Sequence, residues 1–263
     1  MNNVWLDRKE KSYLERIDIL KECATNFEYF GKNYIKILHP TRGLIPLELM
    51  DFQKRFIKSL NDNRFVIATK FREGGFSTNA IMWGLWKTLF TLDYNLMIGC
   101  PRDRDATRWQ ENVLEVINWI PSWMRPKIGK CNKHHIYFEE TNSSIYFSTL
   151  EPARGRRLDC IIIDEAAFHK KMNQSWRALW PCLSCGGQCI AVSTTNGIGN
   201  WFQETYHNAL EGKNNFSVFK SNYSEHPKYQ NEEFCKLLRS NLGEAGWHQE
   251  VLQDFLVDGF YNK

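Results

Sequence analysis

The chain has 263 residues, 43% of them apolar and ten of them tryptophan, which excludes a disordered segment and leaves material for a substantial core. Its formal charge is +4, from 34 basic and 30 acidic side chains, so the total neither requires nor excludes a nucleic-acid partner. No apolar run approaches the roughly 18 residues of a membrane span, and the charged N-terminus "MNNVWLDRKEKSYLERIDIL" lacks the apolar centre of a secretory signal. The eight cysteines are scattered, several within apolar strand-like runs (Cys100, Cys160, Cys189), so reduced core thiols in a cytosolic setting are expected.

Residues 9–37 carry apolar side chains at helical spacing, among them Tyr13, Leu14, Ile17, Leu20, Phe27, Phe30 and Tyr34. The spacing predicts one or two helices with a break near Thr25 and Asn26. "LHPTRGLIP" reads as a turn-rich connector, and "LELMDFQKRFIKSLNDN" as an amphipathic helix. An alternation follows: strand "FVIAT" and a helix over 78–92, then strand "NLMIGC" and a helix over 105–119. "HHIYFEETNSSIYFST" alternates polar and apolar residues about Thr141-Asn142-Ser143 and predicts a β-hairpin. Strand "CIIID" precedes a helical "NQSWRALWPCL", strand "CIAVST" precedes "GNWFQETYHNALEG", and "FSVFKSNY" is one more strand before a mostly helical C-terminal portion. Continuous apolar strands alternating with helices predict an α/β fold with a mainly parallel sheet covered on both faces.

Three stretches carry chemistry. In "RFVIATKFREGGFSTNAIMWGLW" an apolar strand runs into paired glycines, then Ser-Thr, then a helix, the layout of a phosphate-binding loop. Gly74 and Gly75 let backbone N–H groups approach an anion at the helix start, and the hydroxyl of Ser77 or Thr78 would ligate Mg²⁺. The position before Ser77, where a lysine is usual, is Phe76; Lys70, at the first position of the loop, and Arg72 are the cations available instead. In "RLDCIIIDEAAF" a buried strand ends in Asp164 and Glu165. The aspartate is placed to hold Mg²⁺ through water, and the glutamate to polarise a water for attack on a γ-phosphate. In "CIAVSTTNGIGNWF" a third strand ends in Ser193, Thr194, Thr195 and Asn196, groups able to hydrogen-bond a γ-phosphate or water.

The order of these parts resembles the ATPase domain of the large terminase subunit, the DNA-packaging motor of tailed phages. "FQKRFI", with Gln53, looks like the family's adenine-reading motif, and "TKFREGGFST" like its divergent phosphate loop with an early lysine and an aromatic before the serine. "ARGRRLDCIIIDEAAF" is similar to its Walker B segment with an upstream arginine, Arg154, and "STTNG" to its coupling motif. The likeness runs over about residues 29–259. It implies a RecA-like (ASCE-type) P-loop ATPase with ATP and Mg²⁺ as ligands and Glu165 as catalytic base. Arg154 would be an arginine finger acting between subunits, Arg72 a phosphate-positioning arginine, and Asn196 the link from hydrolysis to motion. Phe76, Thr78, Gly74 and Gly75 belong to the nucleotide loop on the same grounds. The implied partners are double-stranded DNA, the portal, the small terminase subunit and further copies of the chain in a ring on the capsid. The implied setting is the host cytoplasm, transiently at the procapsid portal.

The expected organisation is an N-terminal helical segment over 1–48, an ATPase core over 49–220 and a C-terminal helical subdomain or linker over 221–263. The family's nuclease domain would follow where this sequence stops, so DNA cleavage is not expected of this chain. The alternative reading is a catalytically degenerate docking module with the same fold, which the intact Asp164-Glu165 pair disfavours. A zinc site from "PCLSCGGQC" with Cys131 and His134 is disfavoured because Cys189 falls within a predicted strand. The basic stretches "PRDRDATR", "RPKIGKCNKHH" and "ARGRR" are each expected to be solvated loops.

Overall fold

The computed structural model describes residues 13–39, 42–150 and 157–257. Helices α1 (Tyr13–Thr25) and α2 (Phe27–Tyr34) are separated by Asn26, whose side chain accepts from Tyr29 N and so caps α2. The break falls where the sequence predicts it. The expected connector instead forms a two-stranded antiparallel ribbon, β1 (Lys36–His39) and β2 (Gly43–Pro46), pairing Ile37 with Ile45 and Leu38 with Leu44. Proline and glycine mark a turn in that stretch, but the apolar pairs across the ribbon decide that it forms strands. Helix α3 (Asp51–Asp62) follows.

The main sheet is built from β3 (Phe65–Thr69), β4 (Asn95–Gly99), β5 (Ile128–Asn132), β6 (His135–Phe138), β7 (Ser143–Ser148), β8 (Cys160–Asp164), β9 (Gln188–Ser193) and β10 (Ser217–Phe219), in the order β10-β3-β9-β8-β4-β7-β6-β5. Pairings from β10 across to β7 are parallel, and β6 and β5 extend the sheet by antiparallel pairing. The predicted hairpin is therefore β6–β7, with β7 built into the parallel sheet beside β4. Strand β5 lies where the sequence suggested a basic loop. It is an edge strand with mostly exposed side chains, a place where lysine and asparagine are tolerated and discourage pairing with another chain.

Why the central strands read as continuous apolar runs follows from period-two packing. Val66 and Ala68, Leu96 and Ile98, Cys160 and Ile162, and Ile190 and Val192 face one core. Their neighbours Phe65 and Ile67, Met97, Ile161 and Ile163, and Cys189 and Ala191 face the other. The first core is closed by α1 to α3, α4 (Phe76–Phe90) and α5 (Asp103–Trp119), the second by α6 (Met172–Leu183) and α7 (Trp201–Leu210). Helix α4 lies close on the sheet because Gly84 faces it. A Cβ there would stand 2.8 Å from Ile162 Cδ1 and 2.9 Å from Leu96 Cδ2. Helix α8 (Glu232–Trp247), broken by Gly243 at φ 69°, leads into a π-helical turn, His248–Leu252, whose Val251 and the preceding Trp247 join the first core.

Strand order also sets the position of the site. β9 lies between β3 and β8, with Thr69 paired to Ser193 and Asp164 to Val192. Three strands that are distant in sequence thus end side by side at the carboxyl edge of the sheet, where open α/β folds bind ligands.

Candidate active site

The loop between β3 and α4 is tied down at both ends. Lys70 N donates to Ser193 O at 2.9 Å, continuing the pairing of β3 with β9, and Asn79 N donates to Gly75 O at 2.9 Å in the first turn of α4. Glu73 (φ 58°) and Gly75 (φ 78°) adopt left-handed conformations that turn the chain into the helix. Gly75 offers no side-chain cap, so the first N–H groups of α4 are left for an external acceptor, and the helix dipole favours a negative one.

Phe76, the first residue of α4, points away from that acceptor position. Its ring is buried 5.2 Å from Phe56, 5.6 Å from Phe71, 5.7 Å from Phe52 and 6.0 Å from Phe219, centroid to centroid. Expected among the nucleotide contacts, Phe76 can supply only its backbone N–H, because its side chain is core. A lysine in its place would put an ammonium among aromatic rings.

Lys70 reaches the loop from the other side. Its Nζ donates to Ser77 Oγ at 2.7 Å and to Glu165 Oε1 at 2.7 Å, and lies 3.5 Å from Asp164 Oδ1. Ser77 Oγ donates to Asp164 Oδ1 at 2.5 Å. The geometry thus brings Lys70, Ser77, Asp164 and Glu165 into one cluster. Burial drives the Lys70 pKa down, but the attraction of Asp164 and Glu165 outweighs it, so the amine is held charged above its ordinary value. Burial pushes the Glu165 carboxyl up, and Lys70 pulls it back only in part, leaving it raised. Because the Glu165 side chain is 37% exposed, water moderates that effect.

Glu165 sits at φ 50°, ψ 47°, a left-handed conformation that costs a non-glycine residue of order 1–3 kcal/mol. That turn takes the chain off the strand line. Ser193 Oγ, 3.4 Å from Glu165 Oε2, donates to the carboxylate while accepting from Ala167 N at 3.1 Å. Sequence reading missed two further supports. Trp109, on α5, donates its indole N–H to Asp164 Oδ2 at 3.0 Å. His169 Nε2 lies 3.2 Å from Asp164 O, and burial holds its pKa down, so a neutral ring donates there.

Gln53 is also at the loop. Its Nε2 donates to Gly74 O at 3.0 Å and its Oε1 accepts from Met50 N at 2.9 Å, so its amide struts the loop against the start of α3. Arg72 stands at the rim, with its N–H donating to Glu250 O at 2.7 Å, its guanidinium 3.6 Å from Glu250 Oε2, and its carbonyl accepting from Tyr229 O–H at 2.7 Å. Thr78 lies beside Ser77 in α4, half-buried. Asn196 donates to Ala167 O at 3.2 Å, linking the end of β9 to the turn after Glu165. The neighbouring Thr195 hydroxyl lies 3.1 Å from Gln249 O and 2.7 Å from Asp254 O, so the C-terminal segment holds this strand end as well as the loop. Arg154 lies outside the described residues.

A cleft of about 710 Å³ opens beside the cluster, walled by Arg72, Arg102, Lys170 and Lys171 together with Glu165, Thr194 and Glu250. Its size suits a nucleotide-sized ligand, and its wall mixes these four basic side chains with three acidic ones, Asp105, Glu165 and Glu250, with Arg102 bonded to Asp105 at 2.7 Å. Whether the cluster fits Mg²⁺ is answered by its donors. Ser77 Oγ and Asp164 Oδ1 are hard oxygens close together, and the Lys70 ammonium already stands against both as a cation. Among the described residues no three His, Cys, Asp or Glu side chains converge on a metal position. The donor set therefore fits an ion that takes few protein ligands and completes its shell from phosphate and water.

A parallel sheet with β9 inserted between the strand of the glycine loop and that of the acidic pair defines the class: a RecA-like P-loop fold. The family model described as "Terminase large subunit, T4likevirus-type, N-terminal" matches residues 75–256, and the chain belongs to that family. The probable terminase large subunit gp28 of Escherichia phage Mu is 28% identical over 99 residues, 37% of this chain and 18% of that protein. The large terminase ATPase domain of Thermus phage P74-26 superposes with a TM-score of 0.63 at 18% identity, covering 77% of this chain and 98% of that domain. The large terminase of a thermophilic bacteriophage, solved in complex with ADP, superposes with a TM-score of 0.62 at 12% identity, covering 79% of this chain and 53% of that one. These two likenesses are likenesses of fold. The chain spans about half the length of the protein in the ADP complex, and the matched stretch less than a fifth of the phage Mu protein.

Proposed function

We propose that this chain binds ATP with Mg²⁺ and hydrolyses it to drive double-stranded DNA into a phage capsid. The observation that carries the reading is the Lys70 ammonium, 2.7 Å from both Ser77 Oγ and Glu165 Oε1. From the first loop position Lys70 reaches the serine hydroxyl and the carboxylate beside the phosphate-binding loop, and Phe76 is free to be core. Family membership and the ADP complex of the thermophilic phage terminase support a nucleotide as the ligand.

In this reading the N–H groups at the start of α4, with Lys70 and Arg72, bind and orient the triphosphate. Mg²⁺, held by Ser77 and through water by Asp164, would neutralise phosphate charge. Glu165 takes the proton of the water that attacks the γ-phosphorus as the bond to the leaving ADP oxygen breaks. Burial raises its pKa above the ordinary carboxylate value, the direction that makes it a stronger base, and Ser193 orients it. Gln53, whose amide braces the loop, would read the adenine, Asn196 with Thr195 would link hydrolysis to motion of the C-terminal segment, and Arg154 would serve a neighbouring subunit. The assembly would be a ring on the portal, with the small terminase subunit, in the host cytoplasm.

Turnover by Glu165→Gln tests the assignment. It should fall by about 10²–10⁴-fold while binding of a non-hydrolysable ATP analogue, followed by calorimetry, persists. Wild-type turnover in Glu165→Gln would remove Glu165 as the base, and absence of Mg²⁺-dependent analogue binding by the wild-type chain would favour the docking module instead.

A further inference from the structure

We infer that Trp109 is a positioning residue for the metal-binding carboxylate: its indole N–H fixes Asp164 so that Oδ1 stays turned toward the loop. The inference rests on the nucleotide reading above. Helix α5 buries Ala106, Gln110, Val113, Val116 and Ile117. Trp109, three residues after Ala106 and four before Val113, lies beside that stripe and packs partly buried against the core. Packing of this kind asks for a large ring but not for its N–H, which phenylalanine would lack at no loss of contact type. The N–H has a separate employment, the 3.0 Å bond to Asp164 Oδ2.

Asp164 is 7% exposed, and the donors around its carboxylate divide by oxygen. Ser77 and Lys70 face Oδ1, and Trp109 alone among the described side chains donates to Oδ2. The Oδ1 partners belong to the phosphate loop and are the ones that nucleotide and cation would rearrange. The indole comes from a different element and lies on the opposite oxygen, so it can hold the carboxylate plane through that exchange. Rotation about the last carboxylate bond is otherwise soft. The chemistry of the donor also matters. Indole is a neutral donor without an acceptor, so it satisfies Oδ2 without bringing a positive charge that would repel a divalent cation. A lysine or arginine could make the same bond only by competing with the ion.

The test is Mn²⁺ binding, read by electron paramagnetic resonance, in the presence of a saturating non-hydrolysable ATP analogue. Loss of one hydrogen bond to a charged group should weaken Mn²⁺ binding by about tenfold or more in Trp109→Phe. Analogue binding without metal should be unchanged. Site-specific incorporation of benzothienylalanine at position 109, which replaces the N–H by sulfur within a ring system of the same shape, separates the bond from the packing. This variant should melt like wild type and still bind Mn²⁺ about tenfold more weakly. Wild-type Mn²⁺ affinity in a folded variant lacking the N–H would overturn the role of Trp109 while leaving the nucleotide site standing. A wild-type chain that binds no analogue at all would overturn the nucleotide reading, and this inference with it.

Discussion

Replacing Lys70 by methionine keeps most of the buried stem and removes the one ammonium that the cluster shares. Two carboxylates, Asp164 at 10% and Glu165 at 37% side-chain exposure, are then left without their counter-charge. Breaking a buried ion pair from one side costs about 3–5 kcal/mol, because the surviving charge stays desolvated. Water reaching Glu165 places Lys70→Met at the lower end, about 3 kcal/mol near pH 8. The sign of the pH dependence follows from Glu165. Burial raises its folded pKa, and Lys70 is what pulls it down, so the substitution raises it further. A carboxyl whose folded pKa lies above its unfolded value contributes stability below the unfolded value, about 4.3, and loses it as pH rises through the folded value. The deficit of Lys70→Met relative to wild type should therefore be greatest near pH 8 and smaller at about pH 4.5. Urea unfolding of both proteins at the two pH values measures this. Equal deficits at both, or none near pH 8, would refute the claim that Lys70 neutralises the acidic pair. Adding Glu165→Gln to Lys70→Met should recover part of the loss near pH 8, since it removes one of the two unpaired charges.

The position of Phe76 gives a second expectation: Phe76→Lys, which writes the usual loop lysine into the sequence, should not restore ATP-analogue binding to Lys70→Ala. It should also destabilise the fold by about 3 kcal/mol or more, because it exchanges a ring packed on Phe52, Phe56, Phe71 and Phe219 for an amine. Recovered binding in a calorimetric titration would contradict this. Gly75→Ala should cost about 1–2 kcal/mol for its left-handed φ of 78° and displace the Gln53 amide, whose Nε2 would stand 2.7 Å from the new Cβ. A melting temperature lower by several degrees and weaker analogue binding are expected, and an unchanged melt would show that the loop turns differently.

The apolar runs of β3, β4, β8 and β9 were legible because strands buried on both faces are mostly apolar, and the helices between them because their stripes keep helical spacing. Asn26 marked the break between α1 and α2 through capping chemistry that is local. The ribbon β1–β2 and the edge strand β5 were not legible. A half-exposed strand is defined by what it pairs with, and the pairing partner is not encoded in the strand's own periodicity. The site divides in the same way. Asp164 and Glu165 stand at the end of β8, and Gly74, Gly75 and Ser77 at the loop-helix junction after β3, so each could be nominated from the pattern of its own segment. Trp109 could not, since a tryptophan on a helix face looks the same whether or not its N–H has a use.

By itself, then, the sequence determined the class of fold and the groups that meet at the sheet's carboxyl edge, because strand-end residues follow directly from where each apolar run stops. Only the tertiary structure decided which cation serves them. Lys70, Phe76 and Ser77 are near neighbours in sequence, but the turn through Glu73 and Gly75 sends Phe76 into the aromatic core and leaves Lys70 facing Ser77, Asp164 and Glu165. Direction of a side chain at a loop-helix junction depends on backbone angles and on the packing beneath, neither of which spacing along the chain records.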